Sequence, residues 1–414
     1  MQRYSFLNVV RHALRGNTGW GPAWRTPTLQ RSYDVVVIGG GGHGLATAYF
    51  LAKKHGVRRV ALLERGHIGQ GNSGRNTQVT RSNYFYPVSS SFFDHSLQLY
   101  EELGRELNYN VMLRQGGLIS LAHSLHDLEI VRRWANAIRM NGVDAEVLSE
   151  ADVRRLVPIL NSRSRLPILG GLMQRRAGIS RHDAVVWGFA RGANAHGVDI
   201  VQGCEVRGFR KSGDRVTGVE TSQGLINCDR VAMSVSNQCS VLAGLAGFTL
   251  PITTMTLQAM VTEPIKPILD ACVMSGSIQA YVSQSDRGEI VIGGAADVYN
   301  SYRQRGSVAV TRAVLAAVLE LFPSFSRLKL MRQWGGAVDI TPDTSPIMGL
   351  TPVRNLYINC GWGTGGYKAI PAGGDTMAQT IVQDKPHPLI RAFDLARFER
   401  GALIDEGAAS GVAH

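Results

Sequence analysis

Three glycines near the start of the chain have the spacing of a dinucleotide-binding turn. Gly39, Gly41 and Gly44 follow a short apolar run and precede a stretch with the apolar spacing of a helix. In such a turn the first glycine permits a sharp change of direction, the second lets the backbone approach a pyrophosphate, and the third lets the helix pack closely on the strand. The first N–H groups of the helix, at Gly42 and His43, would then face the phosphates.

A carboxylate stands where one is expected after this glycine pattern. Glu64 lies twenty residues after Gly44, at the end of a second predicted strand, where it can accept hydrogen bonds from ribose hydroxyls. Together the two features predict a bound FAD or NAD. A Gly- and Asn-rich loop at residues 69–77 favours FAD, because a nicotinamide dehydrogenase would continue with a helix here. The predicted cofactor contacts in this loop are Asn72, Ser73, Arg75, Asn76 and Thr77.

The periodicity of apolar residues predicts the elements that must position these groups. Residues 34–38 and 57–64 are predicted to be strands on either side of a helix at 45–54, which is the start of a βαβ unit. Further helices are predicted at residues 92–108, 126–141, 182–195, 308–321 and 373–382. Further strands are predicted at residues 198–201, 204–210, 215–221, 224–234, 258–262, 278–283, 289–293 and 355–359.

These elements predict a mixed α/β fold with two sheet systems interleaved along the chain. A Rossmann-like FAD-binding domain is expected from residues 33–110, 170–250 and 331–390. An antiparallel-sheet substrate domain is expected from residues 111–169 and 251–330. The remaining segments are an N-terminal arm, which we expect to dock on a partner, at residues 1–32, and a C-terminal tail at residues 391–414.

Composition excludes several classes of protein. The net charge is +12, but the basic residues are scattered, which argues against nucleic acid and favours anionic cofactors or an acidic partner. No apolar run is long enough to span a membrane, and a cytoplasmic location is expected. The five cysteines form no CxxC pair, which predicts buried thiols in a reducing compartment and neither a disulfide framework nor a metal site.

The first 33 residues contain no Asp or Glu and carry five arginines. A mitochondrial presequence has this charge pattern. Trp20 and Trp24, interspersed with prolines, favour an ordered arm instead.

Seven segments resemble the beta subunits of the heterotetrameric sarcosine oxidases, within the D-amino-acid-oxidase-like flavoenzymes. The resemblance covers nearly the whole chain. It is carried by GGGGHGLATAY (39–49), GNSGRNTQVTRSN (71–83), NYNVM (108–112), RHDAVVWGFA (181–190), LQAMVTEPIKPI (257–268), MRQWGG (331–336) and NCGWGTGGYK (359–368).

The resemblance implies a substrate site for a small N-methyl amino acid. Arg81 matches the arginine of the family that binds the substrate carboxylate, and Lys368 matches a second cation. Tyr84 and Tyr367 are candidate lids over the substrate, although packing is the commoner role of a tyrosine. Further contacts to FAD are expected from Val206, Gly363, Gly366 and Lys368.

Two absences refine this expectation. Monomeric relatives attach FAD through a cysteine, and Gly336 occupies that position here, so FAD is expected to be noncovalent. Those relatives also place a lysine over the flavin to assist oxygen reduction, and Val291 occupies that position. Oxygen reduction is therefore expected at a second flavin.

The resemblance also implies FMN attached covalently to His182, next to Arg181, at the junction with a larger alpha subunit that assembles with gamma and delta subunits. The residues alone favour a capping or core histidine. They also show that a helix start beside Arg175, Arg176 and Arg181 suits a phosphate.

The expected activity is oxidative demethylation of sarcosine to glycine and formaldehyde, with electrons passing from FAD to FMN and then to O2. Tyr367 and Ile370 replace a Phe and a Thr that are usual in the family, so dimethylglycine, proline or another secondary amine is an alternative substrate. A single-flavin oxidase or dehydrogenase, a noncatalytic flavoprotein subunit and a nicotinamide dehydrogenase are the competing hypotheses.

Overall fold

The computed structural model describes residues 5–404, so residues 1–4 of the predicted arm and residues 405–414 of the predicted tail lie outside it. The α-helices of this range are α1 (Phe6–Leu14), α2 (Gly42–Lys53), α3 (Pro87–Glu106), α4 (Leu125–Met140), α5 (Glu150–Leu156), α6 (His182–Ala195), α7 (Cys239–Ala246), α8 (Val308–Leu321) and α9 (Ile370–Gln383). Short 3-10 turns lie at Asn72–Gly74, Pro323–Arg327, Tyr367–Ala369, Pro388–Phe393 and Leu395–Arg397.

The strands of the same range are β1 (Ser32–Ile38), β2 (Val60–Glu64), β3 (Val79–Thr80), β4 (Leu118–Ala122), β5 (Glu146–Ser149), β6 (Gly170–Gln174), β7 (Gly178–Ile179), β8 (Asp199–Gln202), β9 (Val206–Ser212), β10 (Arg215–Thr221), β11 (Gly224–Met233), β12 (Thr253–Pro264), β13 (Cys272–Ser275), β14 (Ala280–Gln284), β15 (Glu289–Asn300), β16 (Leu330–Ile340), β17 (Ile347–Leu350) and β18 (Leu356–Cys360).

The first sheet has the order β17-β18-β11-β1-β2-β8, and the β9–β10 hairpin extends from β11. Strands β1, β2, β8, β11 and β18 are parallel neighbours. Both faces of β1 and β2 are buried, because α2, α6 and α9 pack on one side and α7 lies on the other. The strands of a parallel sheet that is covered on both faces are apolar at consecutive positions, and the sequences of β1 and β2 have this pattern. The predicted Rossmann-like start is confirmed.

The second sheet has the order β16-β12-β15-β14-β13-β4-β6-β5 and is antiparallel except between β13 and β4. The expected mixed fold, with the two sheets interleaved along the chain, is confirmed. The predicted bounds at residues 170 and 331 place β6 and β16 in the FAD-binding domain, whereas both strands pair within the second sheet. The apolar pattern of a strand does not reveal which neighbour it will pair with, because the pairing depends on distant residues.

Most predicted elements exist, and three have the predicted bounds: α6, α8 and β10. The elements without a sequence prediction are α1, α5, α7, β3, β4, β5, β6, β7, β13, β16 and β17. Helix α7 has eight residues, six of them Ala, Gly, Leu or Val, and no side chain caps its start, so only Gly247 at its end gives a sequence signal. Helix α1 begins after Ser5, whose hydroxyl accepts a hydrogen bond from the amide of Asn8, within the segment predicted as an arm.

The described part of the arm is anchored to the chain itself through Arg25. Its guanidinium donates to the carbonyl oxygens of Asn194 and Gly197, at the end of α6, and to the carboxylate of Asp199 at 2.6 Å. Helix α1 has no buried residue, and Phe6 and Leu14 are about four-fifths exposed (80% and 84%).

Three further properties of residues 5–404 concern membrane-spanning helices, metal sites and cysteines. None of its helices is both long enough and apolar enough to cross a membrane. No group of His, Cys, Asp and Glu side chains in this range is arranged to hold a metal ion. All five cysteines are buried and free, as predicted.

A buried ion pair fastens the C-terminal segment to the first sheet. Arg397 and Asp343 are almost fully buried, and the guanidinium donates to the two carboxylate oxygens at 2.8 and 2.9 Å. The same guanidinium also donates to the carbonyl oxygens of Phe393 and Ser345. Bidentate geometry and these further acceptors satisfy the charges in the interior.

We predict that Arg397→Met lowers the free energy of unfolding by about 3–5 kcal/mol, because it leaves the Asp343 carboxylate buried without its partner. Urea unfolding followed by circular dichroism measures the change. Arg400→Met is the matched control, since Arg400 pairs with Asp394 at the surface and should matter by less than about 1 kcal/mol. A loss below 1 kcal/mol in Arg397→Met would contradict the prediction.

Candidate active site

One cavity of about 570 Å³ is lined by residues of both sheets. The glycine turn after β1 and Val206 of β9 line it from the first sheet, and Leu257, Met274 and Tyr281 line it from the second. Of the predicted cofactor and substrate residues, those that line it are Gly39, Gly41, Gly42, His43, Glu64, Asn72, Ser73, Arg75, Asn76, Thr77, Arg81, Val206, Gly363, Gly366 and Lys368. The predicted residues Gly44, Tyr84, Arg181 and His182 do not line it.

The glycine turn has the geometry that its spacing predicts. Gly39 has φ +109, a backbone conformation that side chains disfavour. A Cβ atom on Gly44 would overlap the carbonyl oxygen of Gly39, so α2 can start this close to β1 only with glycine at that position. Gly44 therefore supports the turn from behind and does not reach the cavity.

The Glu64 carboxylate braces this turn as well as facing the cavity. One of its oxygens accepts from the amide of Gly40 and the other from the amide of Gly66, both at 2.8 Å. The carboxylate is thereby fixed at the end of β2, where a ribose hydroxyl could donate to the lone pairs that remain.

The loop at residues 69–77 lies along the cavity and is held by its own side chains. The Ser73 hydroxyl accepts from the amide of Gly42 at 2.9 Å, and Asn76 donates to the Ser73 carbonyl. Asn72 donates to the carbonyl oxygen of Ala337 in β16, which ties the loop to the second sheet.

Two buried polar atoms at the cavity have no hydrogen-bond partner among the described residues, namely Asn72 Oδ1 and Ser234 Oγ. Buried polar groups are normally satisfied, so these atoms indicate a polar ligand. The glycine turn, the carboxylate at the end of β2 and the two unsatisfied atoms all fit FAD.

Arg81 follows β3 and is 4% exposed. Its guanidinium donates to Asn83 Oδ1 at 2.7 Å and lies over the ring of Tyr84, 4.6 Å from the centroid. Tyr84 in turn stacks on Phe93 of α3, with ring centroids 3.7 Å apart. Tyr84 therefore contacts the predicted carboxylate-binding arginine from behind, as an aromatic platform, and does not cover the cavity as a lid.

Lys368 enters the cavity from the 3-10 turn that precedes α9. The carbonyl oxygens of Gly366, Tyr367 and Lys368 accept hydrogen bonds from His43 Nε2, Tyr100 Oη and Ser96 Oγ, at 2.7 to 2.8 Å. These three bonds come from α2 and α3 and fix the direction of the turn. Tyr367, expected near the substrate, lines the cavity, and its hydroxyl contacts Ser180.

The Lys368 side chain is buried, and its Nζ donates to the carbonyl oxygen of Thr364 at 2.9 Å. Burial, and then the nearby Arg81 guanidinium, hold the pKa of Lys368 well below its ordinary value. The structure therefore brings Arg81 and Lys368 to one cavity, as predicted, but with an amine that resists protonation.

His43 links the glycine helix to the turn of Lys368. Its ring stacks on Trp362 at 4.6 Å, and its Nδ1 lies 3.4 Å from the side-chain amide of Asn359. Burial lowers the pKa of His43 to about 4, so the ring is neutral at physiological pH. A neutral ring can donate from Nε2 to Gly366 while Nδ1 accepts from Asn359.

A second cavity of about 650 Å³ is lined by the residues that flank His182 at the start of α6, but not by His182 itself. That cavity is lined by Arg181, Asp183, Ala184, Trp187, Gly104, Asn108, Tyr109, Asn110 and Met112. Its Arg181 is paired with Asp183, with Nε 2.9 Å from a carboxylate oxygen. Arg175 and Arg176, which the sequence analysis placed near a phosphate, are paired with other carboxylates, those of Glu146, Asp94 and Glu101.

Gln78 links the first cavity to His182 and was not predicted as a site residue. It lines the first cavity, and its side-chain amide lies 3.1 Å from His182 Nδ1. Its backbone has φ +69, which is uncommon outside glycine. Cys272, Met274 and Tyr281 were also missed, because strands of the second sheet carry no local sign of which face meets a ligand.

The two positions expected to differ from monomeric relatives fall in different places. Gly336 lines the cavity, and a Cβ atom there would lie 3.2 Å from Asn72 Oδ1. Val291, near the start of β15, does not line it.

Residues 34–380 match the family model described as FAD dependent oxidoreductase. The chain is similar to sarcosine oxidase subunit beta of Rhodobacter capsulatus, at 49% identity over 100% of both chains. It is similar to sarcosine oxidase subunit beta of an Arthrobacter species, at 50% identity over 94% of this chain and 97% of the relative.

Among solved structures, the chain is similar to L-proline dehydrogenase from P. horikoshii. The TM-score is 0.85 at 26% sequence identity, covering 91% of this chain and 100% of the other. Solved glycine oxidases share the same fold, for example that of Bacillus cereus, with a TM-score of 0.77 at 22% identity over 86% of this chain and 97% of the other.

We predict that Gly44→Ala abolishes FAD binding, because the added methyl group would overlap the Gly39 carbonyl oxygen and displace α2 from β1. The flavin absorbance of the purified protein, relative to its protein concentration, measures the effect. Gly244→Ala is the control, since a Cβ there meets no atom within 4 Å and lies within α7. Full FAD content in Gly44→Ala would refute the proposed turn geometry.

Proposed function

This chain belongs to the FAD dependent oxidoreductases and, within them, to the family of sarcosine oxidase beta subunits, and from that premise we propose that it oxidises sarcosine to glycine and formaldehyde. One observation carries the proposal: a single cavity extends from the glycine turn of β1 to Arg81 and Lys368. It thus has a dinucleotide site at one end and fixed basic groups for a carboxylate at the other. The names of the full-length bacterial relatives support sarcosine as the substrate.

The cavity residues would hold FAD along its length. The turn and the start of α2 suit the pyrophosphate, Glu64 suits the ribose, and Val206 lies where it could contact the adenine. Residues 363–366 would meet the ring end. FAD supplies the electron-accepting chemistry of the reaction. With glycine at position 336, no thiol stands there to bond it, which supports noncovalent binding.

The protein groups orient the substrate. Arg81 is held by Asn83 and by the Tyr84 ring, so its guanidinium can present two donors to the carboxylate without further ordering. Lys368 adds a second contact to the same carboxylate. The substrate nitrogen must be neutral to react, and the neighbouring guanidinium disfavours an ammonium group. Oxidation of the N-methyl carbon gives an imine, which water splits into glycine and formaldehyde.

The second sheet contributes an apolar wall to the cavity, against which the N-methyl group could pack. Leu118, Leu257, Met274 and Tyr281 line the cavity and, with Cys272, belong to one small hydrophobic cluster. A small alkyl group on nitrogen suits this wall. Tyr367 and Ile370, the two departures from the family pattern, also line the cavity, so another secondary amino acid stays an alternative substrate.

We further propose that His182 holds FMN covalently and that electrons pass from FAD to FMN and then to O2. Burial is the largest cause of the lowered pKa of His182, which keeps the imidazole neutral and nucleophilic. Gln78 contacts its Nδ1, and Nε2 makes no hydrogen bond among residues 5–404. The second cavity, lined by the flanking residues Arg181 and Asp183, could offer room for a flavin ring.

The assembly belongs to the same proposal. Trp187 and Met112 line the second cavity and are 42% and 37% exposed, as expected of a surface that a larger alpha subunit covers. Gamma and delta subunits would complete the oxidase. A cytoplasmic location remains a prediction.

We predict that Arg81→Met lowers kcat/KM for sarcosine by about 100-fold, because two charge-assisted hydrogen bonds to the carboxylate are lost. The rate of FAD bleaching by sarcosine under anaerobic conditions measures this, and Arg105→Met, at an exposed pair with Glu102, is the control. Absence of bleaching in the unmodified holoenzyme would show a noncatalytic flavoprotein instead. An unchanged kcat/KM in Arg81→Met would show that the guanidinium does not bind the substrate carboxylate.

We predict that His182→Asn removes covalently bound FMN. The chain is purified with its partner subunits and denatured in acid, and its intact mass is measured. The wild-type chain should keep an added FMN mass, and His182→Asn should lose it while retaining FAD. His196→Asn, at the other end of α6, is the matched control. A wild-type chain without added mass would support a single-flavin enzyme.

A further inference from the structure

The environment of Lys368 contains no anion that could balance a charge on it. No carboxylate of residues 5–404 forms an ion pair with its ammonium group, and the acceptor of its one hydrogen bond is the neutral carbonyl of Thr364. Three carboxylates line the cavity, those of Glu64, Glu205 and Asp339. All three are engaged with other groups: Glu64 with the amides of Gly40 and Gly66, Glu205 with the guanidinium of Arg207, and Asp339 with other donors.

Asp339 accepts from the amide of Asn237 at 2.6 Å, from the Thr254 hydroxyl at 2.8 Å and from the thiol of Cys239 at 3.4 Å. Its carboxylate is therefore occupied by β12 and by the start of α7. It does not contact Lys368, and none of the three carboxylates forms an ion pair with the lysine.

The titratable groups that face Lys368 provide no negative charge. Arg81 is a permanent cation. Burial raises the pKa of the Cys272 thiol to about 12, even with both basic groups nearby, so the thiol stays protonated. Burial likewise raises the pKa of Tyr281 to about 12, and raises that of Tyr367. A buried ammonium beside a second cation and without a counter-ion is unfavourable.

We propose that Lys368 is an uncharged amine in the substrate-free protein and that it takes the ammonium proton of the incoming amino acid. An N–H bond of the substrate ammonium breaks, and an N–H bond forms at Lys368 Nζ. The bound substrate then has a neutral nitrogen, and its carboxylate lies between two cations. This inference rests on the proposed function and gives Lys368 a proton-accepting role beyond anchoring.

Charge conservation makes the exchange self-consistent. Before binding, the site holds the Arg81 cation and a neutral lysine, and the free amino acid is a zwitterion with no net charge. After binding, the site holds two cations, one carboxylate and a neutral amine. The total is one positive charge in both states, so a zwitterion binds without exchanging protons with solvent. The carboxylate supplies the counter-ion that a protonated Lys368 needs.

A ligand that has a carboxylate but no amine distinguishes proton transfer to Lys368 from simple anchoring of the carboxylate by a charged lysine. Methoxyacetate has an ether oxygen in place of the nitrogen and cannot supply a proton, so its binding should draw about one proton from solvent. Isothermal titration calorimetry of the FAD-loaded holoenzyme, in buffers of different ionisation enthalpy between pH 6 and 9, measures this uptake. Above the pKa of Lys368 in the free protein, affinity should fall tenfold per pH unit.

Three variants identify the group that takes up the proton. Lys368→Met should bind methoxyacetate with no proton uptake and with an affinity that does not change with pH. Lys368→Arg is charged over the whole pH range and should also show no proton uptake. It provides the same test if Lys368→Met does not load FAD. Lys385→Met, at an exposed lysine beyond α9, should keep the wild-type uptake.

Two results would overturn the proposal while leaving the proposed function intact. One is methoxyacetate binding to the wild-type holoenzyme without proton uptake anywhere in this pH range, which would show a lysine that is always charged. The other is uptake that persists in Lys368→Met, which would assign the proton to another group. A holoenzyme that neither binds methoxyacetate nor bleaches with sarcosine would reject the proposed function as well.

Discussion

A charged amine can be buried only if an anion accompanies it or if it gives up its proton, and this constraint organises the cavity around Lys368. Three backbone carbonyls of its turn are held by His43, Ser96 and Tyr100, so the side chain cannot leave the interior. The protein provides Arg81 beside it and no carboxylate in contact with it. The anion must then come from a ligand, and an amino acid carries one.

The same turn joins the cofactor site to the substrate site. His43 belongs to the helix that starts at the glycine turn. Its neutral ring donates to the carbonyl oxygen of Gly366, two residues before Lys368. A change at the dinucleotide end is therefore coupled to the position of Lys368 through one imidazole. Arg81 is held differently, by an amide and by the face of Tyr84 stacked on Phe93, which limits the side-chain entropy it loses when a carboxylate binds.

Gln78 lies between the first cavity and His182, at the start of α6. It has an unusual backbone conformation, lines that cavity and contacts the His182 imidazole. Uncommon backbone conformations persist where the surroundings determine them, and often at functional sites.

Features whose physics is local could be predicted from the sequence. The glycine turn, the carboxylate after β2 and the bounds of α6 and α8 follow from spacing and periodicity within a few turns of chain, and specific motifs identified the family. The sheet that β6 and β16 join, and the contact by which Tyr84 supports Arg81 instead of covering the substrate, became clear only in the folded chain. The same holds for the absence of a carboxylate partner of Lys368 among residues 5–404. Strand pairing, aromatic stacking and desolvation depend on residues far apart in the chain, and no local pattern encodes them.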